Sequence, residues 1–376
     1  MTIEIRVEPE IRRVPEATWD ALSGVSDAPF LSWAFLDTLE QTGCVGEEAG
    51  WLPHHLTFWE GGELIAAAPT YLKGNSDGEF VFDHGWAAAA ARAGIAYYPK
   101  LVVAVPFTPA NAPRLLTAKE SDRPRLLPVL AEALRRIISA EKLSSAHVLF
   151  PTEAEAQGLA EAGLAHRYGI QFHWRNRGYA TFDDFLARFS SKRRNQLKRE
   201  RREMEKQGIT ITTARGALDP ATVDVMYTFY TTTVEKFTWG RHYLNRAFFE
   251  EVCARLRGRV EIVIASEGSR PIGGAFNLAG ERTLYGRYWG AIEERPFMHF
   301  NVCFYHSIEE CIARKLERFE PGAGGRHKLV RGFEPTITHS AHLLAHPGLD
   351  RAVRDYLAEE RRAHLENAKM SELSWK

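Results

Sequence analysis

The sequence predicts an α/β protein of mixed α/β and α+β character, built as two tandem domains, and three observations predict it. At 376 residues, the chain exceeds the roughly 100 to 200 residues that one ordinary core organises. Short alternating apolar runs are interleaved with amphipathic runs of helical period, the pattern of sheets covered by helices. A hairpin in the first half, EGGELIAAA at 60–68, also has a counterpart in the second, EGSRPIGGA at 267–275. Each is followed by a strand-like run that ends near a tryptophan, Trp86 or Trp289.

In the first half, residues 3–7 read as a strand, and Pro15 and Glu16 open an amphipathic segment through Trp19 and Leu22. A helix is expected over Trp33–Gln41. Strands are expected at 54–59 and 64–72, joined by a Gly-Gly turn, and at 79–83, leading into the segment 87–94. Residues 124–140 carry Leu126, Leu127, Leu130, Leu134, Ile137 and Ile138 at helical spacing, and 146–150 read as the strand after them. In the second half, Phe182, Phe185, Leu186 and Phe189 mark a short helix before a charged run. Helices at 222–234 and 245–257 then precede strands at 260–265, 272–278 and 283–288, a helix at 300–315 and a strand at 317–320. The domains expected are 1–170 and 171–345, followed by a charged helical tail over 346–376.

Apolar residues make up 45% of the chain and charged residues 26%, which suits a folded core and excludes general disorder. Lys plus Arg and Asp plus Glu both number 48, so any attraction for nucleic acid or phosphate must come from local clusters. The four cysteines form no CxxC pair and read as reduced thiols. No stretch has the length and apolarity of a signal sequence or bilayer span, so a cytoplasmic location is expected. GNSDG at 74–78 spells GxSxG, but it joins two strands rather than a strand to a helix, which excludes a nucleophile elbow. No His/Cys spacing marks a metal site.

The order hairpin, third strand, helix, strand is that of acetyltransferase-like (GNAT) folds. Three segments, RFEPGAGGRHKLVRGF at 318–333, FDHGWA at 82–87 and YYPKLVVAVPFTP at 97–109, resemble the FemAB-like proteins of peptidoglycan biosynthesis or recognition, and WGRHYL at 239–244 adds to the likeness. The resemblance implies two tandem GNAT-like domains and transfer of an acyl or aminoacyl group to an amine, such as that of a cell-wall precursor or peptide. Acyl-CoA or aminoacyl-tRNA is the donor it implies. It leaves open a non-catalytic protein that recognises such a precursor.

From 192 to 206 there are eight basic residues against three glutamates. Lys192, Arg193, Arg194 and Lys198, with no acid between them, are the candidate contacts to a polyanionic donor such as tRNA. The turn at 290–301, GAIEERPFMHFN, lacks the glycines that let backbone N–H groups cradle a pyrophosphate and carries Glu293 and Glu294 instead, which weakens the coenzyme A expectation. Amine acylation needs a group to take the ammonium proton and a donor to the oxyanion. Glu320, at a strand end, and His327, in the glycine-rich loop, are the candidate bases, with Tyr288 or, as the alternative, Tyr285 as the hydroxyl donor. His84, Trp86, Tyr98, Lys100, Trp239, Tyr243, Trp289, Lys328 and Arg331 are the candidate substrate-binding residues.

Overall fold

The computed structural model describes residues 2–236 and 241–373, and the chain divides into two units, Met1–Ile170 with Ile337–Ala368, and Gln171–Thr336. In the first unit, Glu4–Glu8, His55–Glu60, Glu63–Ala68 and Leu116–Thr117 pair antiparallel in that order. The strand expected over 64–72 is two strands. Pro69 has no N–H for a ladder, so Glu63–Ala68 ends there and Thr70–Lys73 resumes in another sheet, between Leu52–Pro53 and Lys100–Val103. Ser145–Leu149 lies parallel to Lys100–Val103 and antiparallel to residues 340–344.

The helix Arg123–Glu141 turns Leu126, Leu130, Leu134 and Ile138 onto one face, and these meet Leu56, Leu101, Val103 and Val148 in the core. Each such leucine contributes about 1.5–3 kcal/mol on burial. The strand expected at 79–83 is a loop, because the carboxylates of Glu79 and Asp83 turn inward to Lys100 Nζ at 2.9 and 2.5 Å. Residues 337–345, expected in the second domain, belong with the first unit, since 340–344 complete a ladder with Ser145–Leu149. The expected tail is the helix Pro347–Leu373, whose Leu349, Val353 and Leu357 pack on Trp86, Ala90 and Tyr97 of that unit.

The second unit is built on an antiparallel run of Ile209–Arg215, Val260–Glu267, Arg270–Ala279 and Thr283–Ala291. Arg318–Glu320 then adds in parallel, followed antiparallel by Trp174 and Arg175. Alternation along Arg270–Ala279 sends neighbours to opposite faces. Phe276 meets Phe249, of the helix Arg246–Arg255, at 5.5 Å, whereas Ala275 packs with Met298 and Val302. The helix expected at 300–315 begins at Met298 and runs as a π-helix over Asn301–His306 before Ser307–Ala313. Gly290 allows close approach of the helix Pro220–Glu235, since a Cβ there would lie 1.6 Å from the Phe229 carbonyl oxygen.

Candidate functional site

Thr283–Ala291 and Arg318–Glu320 pair only as far as Tyr285 and Glu320. Beyond them the second strand turns away into the glycine-rich loop, and a pocket of about 210 Å³ opens between that loop, the rest of Thr283–Ala291 and the π-helical segment. Three departures from regular structure shape it. The register steps from Phe276/Tyr288 to Asn277/Gly286, leaving Arg287 as the extra residue of a β-bulge. The π-helix brings Cys303 and Phe304 to the pocket wall, and such segments recur at functional sites. Gly322, Gly324 and Gly325 all hold positive φ, which side-chain-bearing residues rarely adopt.

Lys328 holds that loop. Its Nζ donates to the Gly322 carbonyl at 2.7 Å and reaches those of Ala323 and Pro321 at 3.4 and 3.5 Å. Burial pushes its pKa down to about 8, so the cation keeps only a narrow margin at neutral pH. The His299 ring lies 5.1 Å from Trp289 and 6.0 Å from His327. Burial, with the nearby His327 and Lys328, pushes His299 down to about 4, and burial also lowers His327. Both shifts favour the neutral imidazole at pH 7. Burial raises the Cys303 thiol, which argues against a thiolate nucleophile.

Of the residues expected from sequence, Tyr288, Trp289, His327 and Lys328 line this one pocket. The Tyr288 ring is also packed among Tyr230, Phe249 and Phe276, at 5.2, 6.1 and 6.1 Å. Glu320 does not line it. A Cβ on Gly286, in the pocket, would touch the Phe319 ring, and strand alternation puts Glu320 on the other face, 3.0 Å from Arg318 Nε and 3.8 Å from His173 Nε2. Arg331 is not a ligand-facing cation. It is buried, bridges both carboxylate oxygens of buried Glu200, donates to Tyr305 Oη at 3.0 Å and lies 3.3 Å over the Phe300 ring. Tyr243 is outside the pocket lining, and Trp239 lies outside the described residues.

The first-unit candidates form other contacts. Lys100 is fully buried and bonded to Ser76, Glu79 and Asp83, so it is an internal counter-ion rather than a substrate contact. Tyr98 Oη bonds Ser76 at 2.8 Å. Trp86 is buried beneath the Arg167 guanidinium, 4.9 Å away, and against His342. His84 begins the exposed end of the helix His84–Arg92.

The basic run is the helix Ser191–Lys206, capped by Ser190. Lys192, Arg193 and Arg194 sit in its first turn with no acid, where the helix dipole disfavours cations, while Lys198 pairs with Asp183 at 3.0 Å. Glu200, on the inward face of the same helix, is the partner of Arg331. The acidic turn after Gly290 is internally neutralised: Glu293 pairs with Arg270 and Arg295, and Glu294 with Lys236.

Asn277, His299, Cys303 and Phe304 line the pocket without having been singled out from sequence. A signal existed for Asn277 alone, an amide inside the otherwise apolar strand run IGGAFNLA. Among the described residues, no group of three or more His, Cys, Asp or Glu side chains could hold a metal ion, and no helix is long and apolar enough to cross a membrane.

A family model for FemAB-like proteins, described by peptidoglycan biosynthesis or recognition, matches residues 10–374. No curated protein sequence matches. Among solved structures, FemX aligns over 93% of this chain and 100% of its own, at 11% identity and a TM-score of 0.53. The C-terminal domain of a lysylphosphatidylglycerol synthetase from Agrobacterium fabrum aligns over 92% and 95%, at 12% identity and a TM-score of 0.54. At these identities the likeness is one of fold, and that fold is the mixed α/β architecture in two units expected from the sequence.

Proposed function

The chain belongs to the FemAB-like family of peptidoglycan biosynthesis and recognition proteins, and from that premise we propose that it transfers an acyl or aminoacyl group to an amine of a peptidoglycan precursor or peptide. The observation that carries this reading is the pocket at the diverging parallel strands, with neutral imidazoles and a loop-held lysine at its rim. Its 210 Å³ is below the roughly 300–1,000 Å³ of sites that enclose whole small ligands, so it suits the reacting groups of larger substrates.

In the proposed reaction the acceptor reaches the pocket as an ammonium. His327, on the rim, takes its proton, and the free amine attacks the donor carbonyl carbon. The C–N bond forms as the bond to the leaving oxygen or sulfur breaks; the nitrogen then gives up its second proton to the departing oxygen or sulfur, and His327 returns the first to solvent. No enzyme nucleophile is used, in keeping with the raised Cys303 thiol. Lys328 keeps the loop in shape and presents positive charge to the developing oxyanion.

For the donor, the first-turn cations Lys192, Arg193 and Arg194 favour aminoacyl-tRNA. A coenzyme A pyrophosphate would meet a turn whose arginines Arg270 and Arg295 already pair with Glu293. The test is mass-spectrometric detection of an acylated amine when the full chain is given aminoacyl-tRNA or acyl-CoA with a peptidoglycan stem peptide. Product from tRNA alone, abolished by Ala replacement of Lys192, Arg193, Arg194 and Lys198, supports the reading. Peptide binding without product from either donor would replace it with recognition alone.

A further inference from the structure

We infer that Asn277 binds the carbonyl oxygen of the transferred acyl group, a role that rests on the proposed transfer at this pocket. Asn277 is 2% exposed, lines the pocket, and its Nδ2 has no hydrogen-bond partner among the described residues. A buried amide donor left in that state is destabilising, and asparagine is disfavoured in strands, so neither packing nor propensity accounts for an amide at this position. An oxygen arriving with a ligand would complete its bonding.

The surroundings favour a carbonyl oxygen. Asn277 shares the face of Ala275, which packs towards Met298 and Val302 under the π-helical segment. Its cross-strand partner is Gly286, at the register step. A side chain at 286 would begin 3.5 Å from Asn277 Oδ1 and 3.2 Å from Pro321 Cα, so glycine is what leaves the amide uncovered. The other walls include Trp289, Phe304, a neutral His299 and Arg287, the bulge residue, while the Lys328 ammonium is engaged with loop carbonyls. A neutral amide donor suits a carbonyl, which carries no charge until attack makes it an oxyanion, and the cations that line the pocket, Arg287 and Lys328, favour that developing charge. Removing one such donor typically slows catalysis by about 10²–10³-fold.

The probe is N-acetylglycinamide, titrated into the full chain carrying ¹⁵N-asparagine and ¹⁵N-tryptophan, with N277A and W289F spectra assigning the signals. The side-chain amide of Asn277 is expected to shift with the Trp289 indole. N277A, which leaves no donor to satisfy, is expected to keep its melting temperature within a few degrees, weaken the probe by at least about 10-fold and lower kcat with little change in KM. Movement of Trp289 without Asn277, a sharp loss of stability in N277A, or no movement at all would overturn the inference. Movement of Asn277 in a chain that transfers nothing from either donor would keep the carbonyl site and sink the transferase reading instead.

Discussion

The carboxyl ends of the parallel strand pair differ between the two units. In the second, the chain leaving Arg318–Glu320 swings away on three glycines and a pocket remains. In the first, the chain leaving Lys100–Val103 stays at the strand ends: residues 104–110 are buried throughout, and Arg114 is 1% exposed. Its guanidinium donates to the carbonyls of Leu149, Ala110 and Ala112 at 2.6, 2.7 and 3.1 Å. The buried Glu155 carboxylate accepts the Arg114 and Leu115 backbone N–H groups on the other side. Irregular backbone can be buried only when its polar groups are satisfied, and Arg114 and Glu155 do that. A parallel pair thus ends under a stopper in one unit, supplied by the chain after its earlier strand, and beside a pocket in the other, where the chain after its later strand turns away.

The most disruptive test of this comparison is R114A. It strips three carbonyls of their donor and leaves a cavity, so a loss of about 4 kcal/mol is expected in urea denaturation. An unchanged midpoint would mean the first-unit strand end is not held this way. In the second unit, R331M orphans buried Glu200 and should cost about 3 kcal/mol. E200Q together with R331M should recover part of that, which a double-mutant cycle measures and which separates a structural Arg331 from a ligand contact.

K328M and H327Q are expected to act on turnover more than on folding. Each should lower kcat/KM by about 10²-fold, the range of one acid–base or electrostatic contribution, with a melting temperature close to that of the parent. Equal losses in turnover and stability would place both residues with Arg331 instead.

Acidification acts on both units at once. Burial holds His147 near 3 and His166, His173 and His299 near 4, all below the value near 6.5 of an unfolded histidine. As pH falls the unfolded chain binds protons first, so stability is expected to drop between about 6.5 and 4, by up to about 1.4 kcal/mol per pH unit for each imidazole. Because His147 and His166 belong to the first unit and His173 and His299 to the second, both units should loosen together, and a melting temperature that rises on acidification would contradict their neutral burial.

Local pattern carried much of the fold. Leucines at i, i+4 spacing along residues 123–141 and the alternating runs of the second-unit meander are legible because period and burial coincide. The strand expected at 79–83 is missing because Glu79 and Asp83 answer to Lys100, some twenty residues on, a partner that no local pattern reveals. The boundary expected at 345 moved for a similar reason: residues 340–344 find their ladder with Ser145–Leu149, nearly two hundred residues earlier.

For the site, residue type and neighbourhood led to the glycine-rich loop, Lys328 and His327, since adjacent glycines and cations are visible in a string of letters. Which face a side chain takes was not visible. Glu320 and Arg331 were as attractive as Lys328 by residue type, yet strand alternation turned Glu320 away and the Glu200 carboxylate claimed Arg331. Asn277 became prominent only when the register step set it opposite Gly286. The sequence by itself determined the two-domain α/β architecture, the family and the loop that borders the pocket, because these follow from local periodicity and contiguous motifs. Tertiary structure alone decided which polar groups are spent on one another and which stay open to a ligand, because pairing depends on distances between segments far apart in the chain.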